Sequence, residues 1–382
     1  MTCANRLRNL TKEAVMVNEF RAYFTPLFAL FGIIGNVLVI VTFVHMQRKQ
    51  KSRFNLYLIF ISVAQTTDLI VNAILDDFLG RGLTWASDCT IYIKLDTYSV
   101  WSCKLFSYAP KATSFIANQL LVMSTVDRLL TTYQPIRFRG NSNIRNSTVL
   151  ISFIYIFGMS LFIPQLLFNN IVYEETAGLI GKTTCQFPNS LKWGVQFVLY
   201  ASTIGTYIVP TVCITVINTL ILAKLQSLTN SRYRMCVTAR QSPNEMRRII
   251  GHLFLTCVFL FSTFPLTVVI ILRQQADFGN YRSLYPKYAR QLVDLSRLFS
   301  SFDAIVYSSQ FPVLFAFLPN FRRTLCRRVC CFRFLCGRKF ESPQPDLTLR
   351  TRRESERPGP PIMTNFMKMM ATGTSVRTTA IM

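Results

Sequence analysis

The chain has 382 residues, 51% of them hydrophobic and only 16% charged, with 42 Lys+Arg against 18 Asp+Glu and a net charge of +24. Half the residues seek burial, which excludes a disordered chain, and a soluble protein carries about 25% charged residues. The excess of base fits either nucleic-acid binding or a membrane protein whose loops hold the charge, and 32 Phe against 15 Gly favour the membrane.

The apolar residues come in blocks. Leu27 to Val44 contains no charge, Phe54 to Leu75 holds only Asp68, and Ala112 to Val126 has none. Val149 to Phe168 and Gly194 to Ala223 are also free of charge; Ile249 to Leu272 carries only His252, and Leu298 to Leu318 only Asp303. About 20 helical residues cross a hydrocarbon core of about 30 Å. Six blocks are long enough as they stand. The third becomes so if its helix starts near Cys103 and tolerates Lys104 and Lys111. Every backbone amide in lipid must be satisfied within its own segment, so the blocks are expected to be helices. The predicted fold is an all-α membrane protein, a seven-transmembrane helix bundle with a short amphipathic eighth helix.

Base is concentrated in alternate loops. Arg48, Lys49, Lys51 and Arg53 follow the first block, and Arg137, Arg139 and Arg145 the third. Lys224, Arg232, Arg234, Arg240, Arg247 and Arg248 follow the fifth, and the tail from Pro319 is strongly basic. The positive-inside rule then puts the N-terminus outside and the tail in the cytosol. The charge is therefore read as topology, and no nucleic-acid partner is expected. The predicted organisation is an extracellular N-terminus over 1–20, a transmembrane domain over 21–318, an amphipathic helix with a cysteine cluster over 319–340, and a disordered cytoplasmic tail over 341–382. Asn9 heads an outward-facing glycosylation sequon, Asn9-Leu10-Thr11. Cys330 and Cys331, among arginines just past the last span, suit palmitoylation and attachment to membrane lipid, with zinc as the rival reading.

Short patterns fall at consistent depths in these blocks: Gly35-Asn36-Val37 in the first, Asp68 in the second, Asp127-Arg128-Leu129 closing the third and Pro210 in the fifth. The sixth has Phe259-Leu260-Phe261-Ser262-Thr263-Phe264-Pro265, and the seventh has Phe311-Pro312-Val313-Leu314-Phe315 followed by Phe321. In order and together they resemble the rhodopsin-like (class A) G-protein-coupled receptors, over roughly Tyr23 to Cys336. The departures mark a divergent member, similar to invertebrate neuropeptide receptors. Thr263 stands in place of the family's tryptophan, Phe311 and Phe315 replace its Asn and Tyr in the last motif, and Asn218 its Tyr in span five. A second placement of the last motif, at Asp303 to Tyr307, would push Lys287 and Arg290 into lipid and is rejected.

The resemblance implies a receptor, not an enzyme, at the plasma membrane, passing extracellular ligand binding to a heterotrimeric G protein and in turn to arrestin. It pairs Cys103 with Cys185, and Cys3 with Cys89 could form a second bridge. It also makes Asp127, Arg128 and Glu245 the G-protein switch, with Glu245 clamping Arg128 at rest. The same likeness assigns an activation core of Asn36, Asp68, Pro210, Phe259, Pro265, Ser308, Pro312 and Phe315. Asp68 has two readings, a sodium site shared with Ser308 or a polar anchor bonded to Asn36. No cofactor is implied. Pro110 occupies the position where amine receptors carry an Asp. An acidic rim of Asp76, Asp77, Glu174 and Glu175, with Arg273 nearby, points to a cationic peptide ligand. The alternatives are an orphan receptor without G-protein signalling, or a transporter or channel for which the spans offer few polar residues. Asp303 is open to reading as a proton-sensitive group or as a bundle-facing polar residue.

Overall fold

The structure is a computed structural model describing residues 11–91, 93, 95–134, 144–174, 182–186, 192–235, 243–278 and 284–328, all within one compact unit, Met1–Cys330. Helix α1 spans Lys12–Lys49 and α2 Arg53–Ala86. After a short turn at Leu95–Thr97, α3 runs over Val100–Tyr133 and α4 over Ile144–Phe168. Strands β1 (Asn170–Glu174) and β2 (Lys182–Gln186) follow. Helix α5 is built of Lys192–Tyr200, a π-helical stretch Ala201–Ile208, and Val209–Met235. Helix α6 covers Pro243–Phe278 and α7 covers Pro286–Phe317, and α8 (Pro319–Arg328) turns away from α7 by 99°.

These helices have their apolar faces outward. On α1 the exposed side chains are Leu27, Leu30, Phe31, Ile34, Val37 and Val41, while Ala29, Gly32, Gly35, Asn36 and Thr42 are buried. The outer set recurs at helical spacing, and lipid is a better solvent for it than the bundle interior. Small residues inside let helices approach closely. A Cβ on Gly35 would stand 2.8 Å from the Cβ of Phe311, so α1 and α7 pack through the absence of that atom.

Helices α1, α2, α4, α5 and α6 are long and apolar enough to cross a bilayer, and α7 with α8 makes a sixth such segment. Helix α3 is more polar because it is not a lipid-facing element. It lies at the centre of the core, where Ala112, Phe115, Ile116, Ala117, Leu120 and Leu121 are all buried and neighbouring helices pack around it.

Three features differ from the expectations. The first helix starts at Lys12 and runs without a break through residue 20, where the N-terminal segment was expected to end. The link between α4 and α5 is a β-hairpin, with Ile171 opposite Cys185 and Tyr173 opposite Thr183. Its strands, Asn-Ile-Val-Tyr-Glu and Lys-Thr-Thr-Cys-Gln, carry β-branched and aromatic residues that suit a strand. The bundle also contains π-helical stretches at Phe20–Phe24, Leu69–Gly82 and Ala201–Ile208.

The stretch in α5 has a visible cause. Pro210 has no N–H, so it leaves carbonyls one turn back without their helical donor. Asn118 Nδ2 donates to the Thr206 carbonyl at 2.9 Å and Gln119 Nε2 to the Gly205 carbonyl at 2.7 Å. Two side-chain amides of α3 therefore satisfy the backbone that Pro210 disrupts.

Candidate functional site

Cys103 and Cys185 form a disulfide, with Cα atoms 5.5 Å apart, tying the hairpin to the first turn of α3. Cys89 is disulfide-bonded, and Cys3, its expected partner, lies outside the described residues. At this disulfide end of the bundle the rim differs from the expectation. Asp77 is buried, not a rim acid. Arg21 of α1 reaches it at 3.0 Å, and Ser301 of α7 donates to its other oxygen at 2.8 Å while accepting from Arg21 at 3.1 Å. Removing a carboxylate from water requires a partner of opposite charge and filled lone pairs, and this three-helix junction supplies both. Asp76 pairs with Arg81 at 3.1 Å. Arg273 donates to Ser296 at 3.0 Å. Glu174 is on β1 with its side chain outside the described residues, as is the whole of Glu175.

The middle of the bundle is polar. Asp68 Oδ1 accepts from Thr113 and Ser114 of α3, each at 2.7 Å. Neither expected partner joins it. Asn36 instead donates to the Tyr307 carbonyl at 3.2 Å, and Ser308 bonds back to the Ile305 carbonyl, one turn earlier in its own helix. The hydroxyls of α3 lie nearer to Asp68 and take the place of both. Without Ser308, the sodium reading loses the second ligand expected for it. Tyr307 also donates to Asn118 at 3.4 Å, and Gln310 to Ser62 at 3.0 Å. Asp303 is buried and faces the bundle. Phe259 and Thr263 are buried on α6, and Pro265 and Pro312 both lie inside their helices.

Arg128 lies at the opposite end of α3. Its Nη2 meets Asp127 Oδ2 at 2.6 Å, and Arg53 of α2 takes the other oxygen of Asp127 at 2.9 Å. The guanidinium of Arg128 stands 4.6 Å from the centre of the Phe54 ring, and Arg248 of α6 is 5.7 Å from the same ring. A cation over an aromatic face is attracted by the ring's quadrupole, so Phe54 links α2, α3 and α6. The ring continues an aromatic series. Phe43 packs edge-on to Phe54 at 6.1 Å and stacks on Phe321 of α8 at 5.2 Å, and Phe311 meets Phe321 at 6.2 Å. Phe315 lies next to Phe311, with centroids 6.0 Å apart. Glu245 lies on α6, but its side chain is outside the described residues, as are Asn9, Cys330 and Cys331. Nothing local in the sequence marks Phe54 or the amides of Asn118 and Gln119, and Arg53, counted there only among the loop bases, becomes a partner of Asp127. The one available signal was Arg21 at the head of an apolar block, since a charge there requires a partner.

The family model of the 7 transmembrane receptor (rhodopsin family) matches residues 35–306, well over half of the chain. The chain belongs to that family. It is a divergent class A receptor, a multi-pass membrane protein of a non-enzymatic family. The match stops at Val306, short of Phe311–Phe315, where the family's Asn and Tyr are both Phe. The chain is 26% identical over 219 residues to the Dopamine D2-like receptor of Drosophila melanogaster, covering 54% of this chain and 21% of that one. With Cephalotocin receptor 1 of Octopus vulgaris the identity is 28% over 187 residues, covering 48% and 42%. The chain thus spans about a fifth and about two fifths of the length of these two relatives. The receptor also shares its fold with the crystal structure of squid rhodopsin, at a TM-score of 0.60 and 16% identity over 94% of this chain and 97% of that one.

Proposed function

We propose that this receptor binds a peptide at its disulfide end, facing outside the plasma membrane, and passes the signal to a heterotrimeric G protein at its Arg128 end. Arg128 carries the reading. It is held by Asp127 and by the Phe54 ring at the far end of a helix whose first turn is tied to the hairpin, so a shift at one end can release a charge at the other. The concentration of base in the loops at the Arg128 end supports the orientation. That end, once open, would also serve arrestin.

The likeness to a cephalotocin receptor favours a peptide. The likeness to a dopamine receptor does not extend to an amine ligand, because Pro110 leaves a cationic amine without the acid of α3. The charge of the entrance no longer selects a cationic peptide, since Asp76 and Asp77 are paired within the receptor. A peptide-library screen on cells expressing the chain with promiscuous G proteins, read by calcium, tests the proposal. A responding peptide should lose its calcium signal and keep its binding when Arg128 is replaced by Ala. Ligand-evoked current that needs no G protein would establish the channel reading in its place.

A further inference from the structure

We propose that the cavity of about 380 Å³ between the start of α1 and the outer part of α7 is a binding site for a phosphate or sulfate group. Thr11, Ala14, Val17 and Asn18 form one wall, and Arg21, Arg81, Arg290 and Arg297 converge on the space, with Asp294 as the one acid in the lining. Guanidinium groups match a tetrahedral oxyanion with paired, charge-assisted hydrogen bonds, and they stay protonated at any working pH. This site is separate from the Cys103–Cys185 hairpin and from Asp68, and it does not depend on the identity of the activating ligand.

The partners of each arginine set the charge of the cavity wall. Arg21 is committed to Asp77, and Arg81 to Asp76. Asp76, Asp77 and Asp96 lie within electrostatic reach of Arg81, but none of them lines the cavity. Arg297 reaches Asp294 only at 3.4 Å, and Thr11 takes the other oxygen of Asp294 at 3.4 Å. Arg290 has no ion pair among the described residues. Arg297 also sits within electrostatic reach of Arg81, Arg21 and Arg273. Like charges gathered on a concave, partly enclosed wall focus the potential inward and draw an anion. Residues 1–10 cannot supply it, since they carry Arg6 and Arg8 and no acid. An anion seated there would touch α1, α2 and α7 together, and so bear on the outer junction of three helices.

The test uses the full chain in maltoside micelles, which contain no phosphate, and follows thermal melting as inorganic phosphate or pyrophosphate is titrated against chloride at constant ionic strength. A saturable rise in melting temperature is expected, with pyrophosphate acting at lower concentration. Arg290→Ala with Arg297→Ala should weaken the response at least 10-fold, while Arg323→Ala at the opposite end leaves it unchanged. Both substituted arginines are exposed, so the double variant should fold. A rise no larger than that given by chloride, or one that survives the double substitution, overturns the proposal. Repeating the titration in nanodiscs containing phosphatidylglycerol identifies the source. A response already saturated there assigns the site to a lipid headgroup, and an unchanged response assigns it to a soluble anion.

Discussion

Arg21 and Asp77 show how single residues reorganise an expected surface. An acid near the end of a span is read from sequence as part of a solvated rim, because nothing local distinguishes a carboxylate in water from one under a neighbouring helix. The distinction comes from Arg21, 56 positions earlier, and Ser301, 224 positions later. Breaking a buried pair on one side leaves an uncompensated charge and costs about 3–5 kcal/mol, whereas an apolar replacement of both partners is often neutral. Asp77→Ala should therefore lower the melting temperature in detergent by several degrees. Arg21→Met combined with Asp77→Leu should recover most of that loss, and a double variant no more stable than the single one would mean that the junction depends on more than this pair. Asp68 follows the same logic. Its acidity and depth are legible in sequence, but Thr113 and Ser114 become its partners only because α3 presents that face.

At the scale of elements, the type and order of the helices are legible in the spacing of charge and apolar residues, but their lengths are not: α1 covers Lys12–Lys49 against the charge-free block Leu27 to Val44. Six helices announced themselves by hydropathy alone. Helix α3 did not, because a central helix touches protein and not lipid, and so can hold lysines at one end and an Asp-Arg pair at the other without meeting hydrocarbon. The hairpin is not legible in the sequence because ten residues in two strands give too weak a pattern beside seven long blocks. The contact between α3 and α4 was equally invisible, and it depends on Gly158. A Cβ there would lie 2.6 Å from Ile116 Cγ1 and 3.1 Å from Phe115 Cδ1. Overpacking of this kind costs about 1–3 kcal/mol. Gly158→Ala should reduce surface expression and thermal stability accordingly, and Ile116→Ala in the same chain should relieve it. A Gly158→Ala variant as stable as the parent would show that α4 shifts freely on α3.

For the whole molecule, the proposed function runs between the two ends of α3, and the ion pairs around Arg128 are where it is most exposed to test. Asp127 is shared between Arg53 of α2 and Arg128 of α3, and Phe54 lies beneath guanidinium groups from α3 and α6. Opening α6 would have to break the second set of contacts. Coupling energies between distant sites run to about 1–3 kcal/mol, or about 5–150-fold in an equilibrium. Asp127→Asn should raise ligand-independent G-protein signalling several-fold at matched surface expression, and Glu245→Ala should do the same if that side chain joins the latch. Basal signalling unchanged in both variants would leave Arg128 as an ordinary ion pair at the membrane edge.

Number of crossings, their order, and the likeness to the receptor family were determined by the sequence alone, because hydropathy and short motifs act over one turn or one span. Tertiary structure decided who partners whom. Arg21 with Asp77, Arg53 with Asp127, the amides of α3 with the carbonyls freed by Pro210, and the arginines around the outer cavity all join residues from different helices. Such contacts depend on the rotation and depth of each helix in the bundle, which follow from packing many side chains at once and leave no mark on any single stretch of chain.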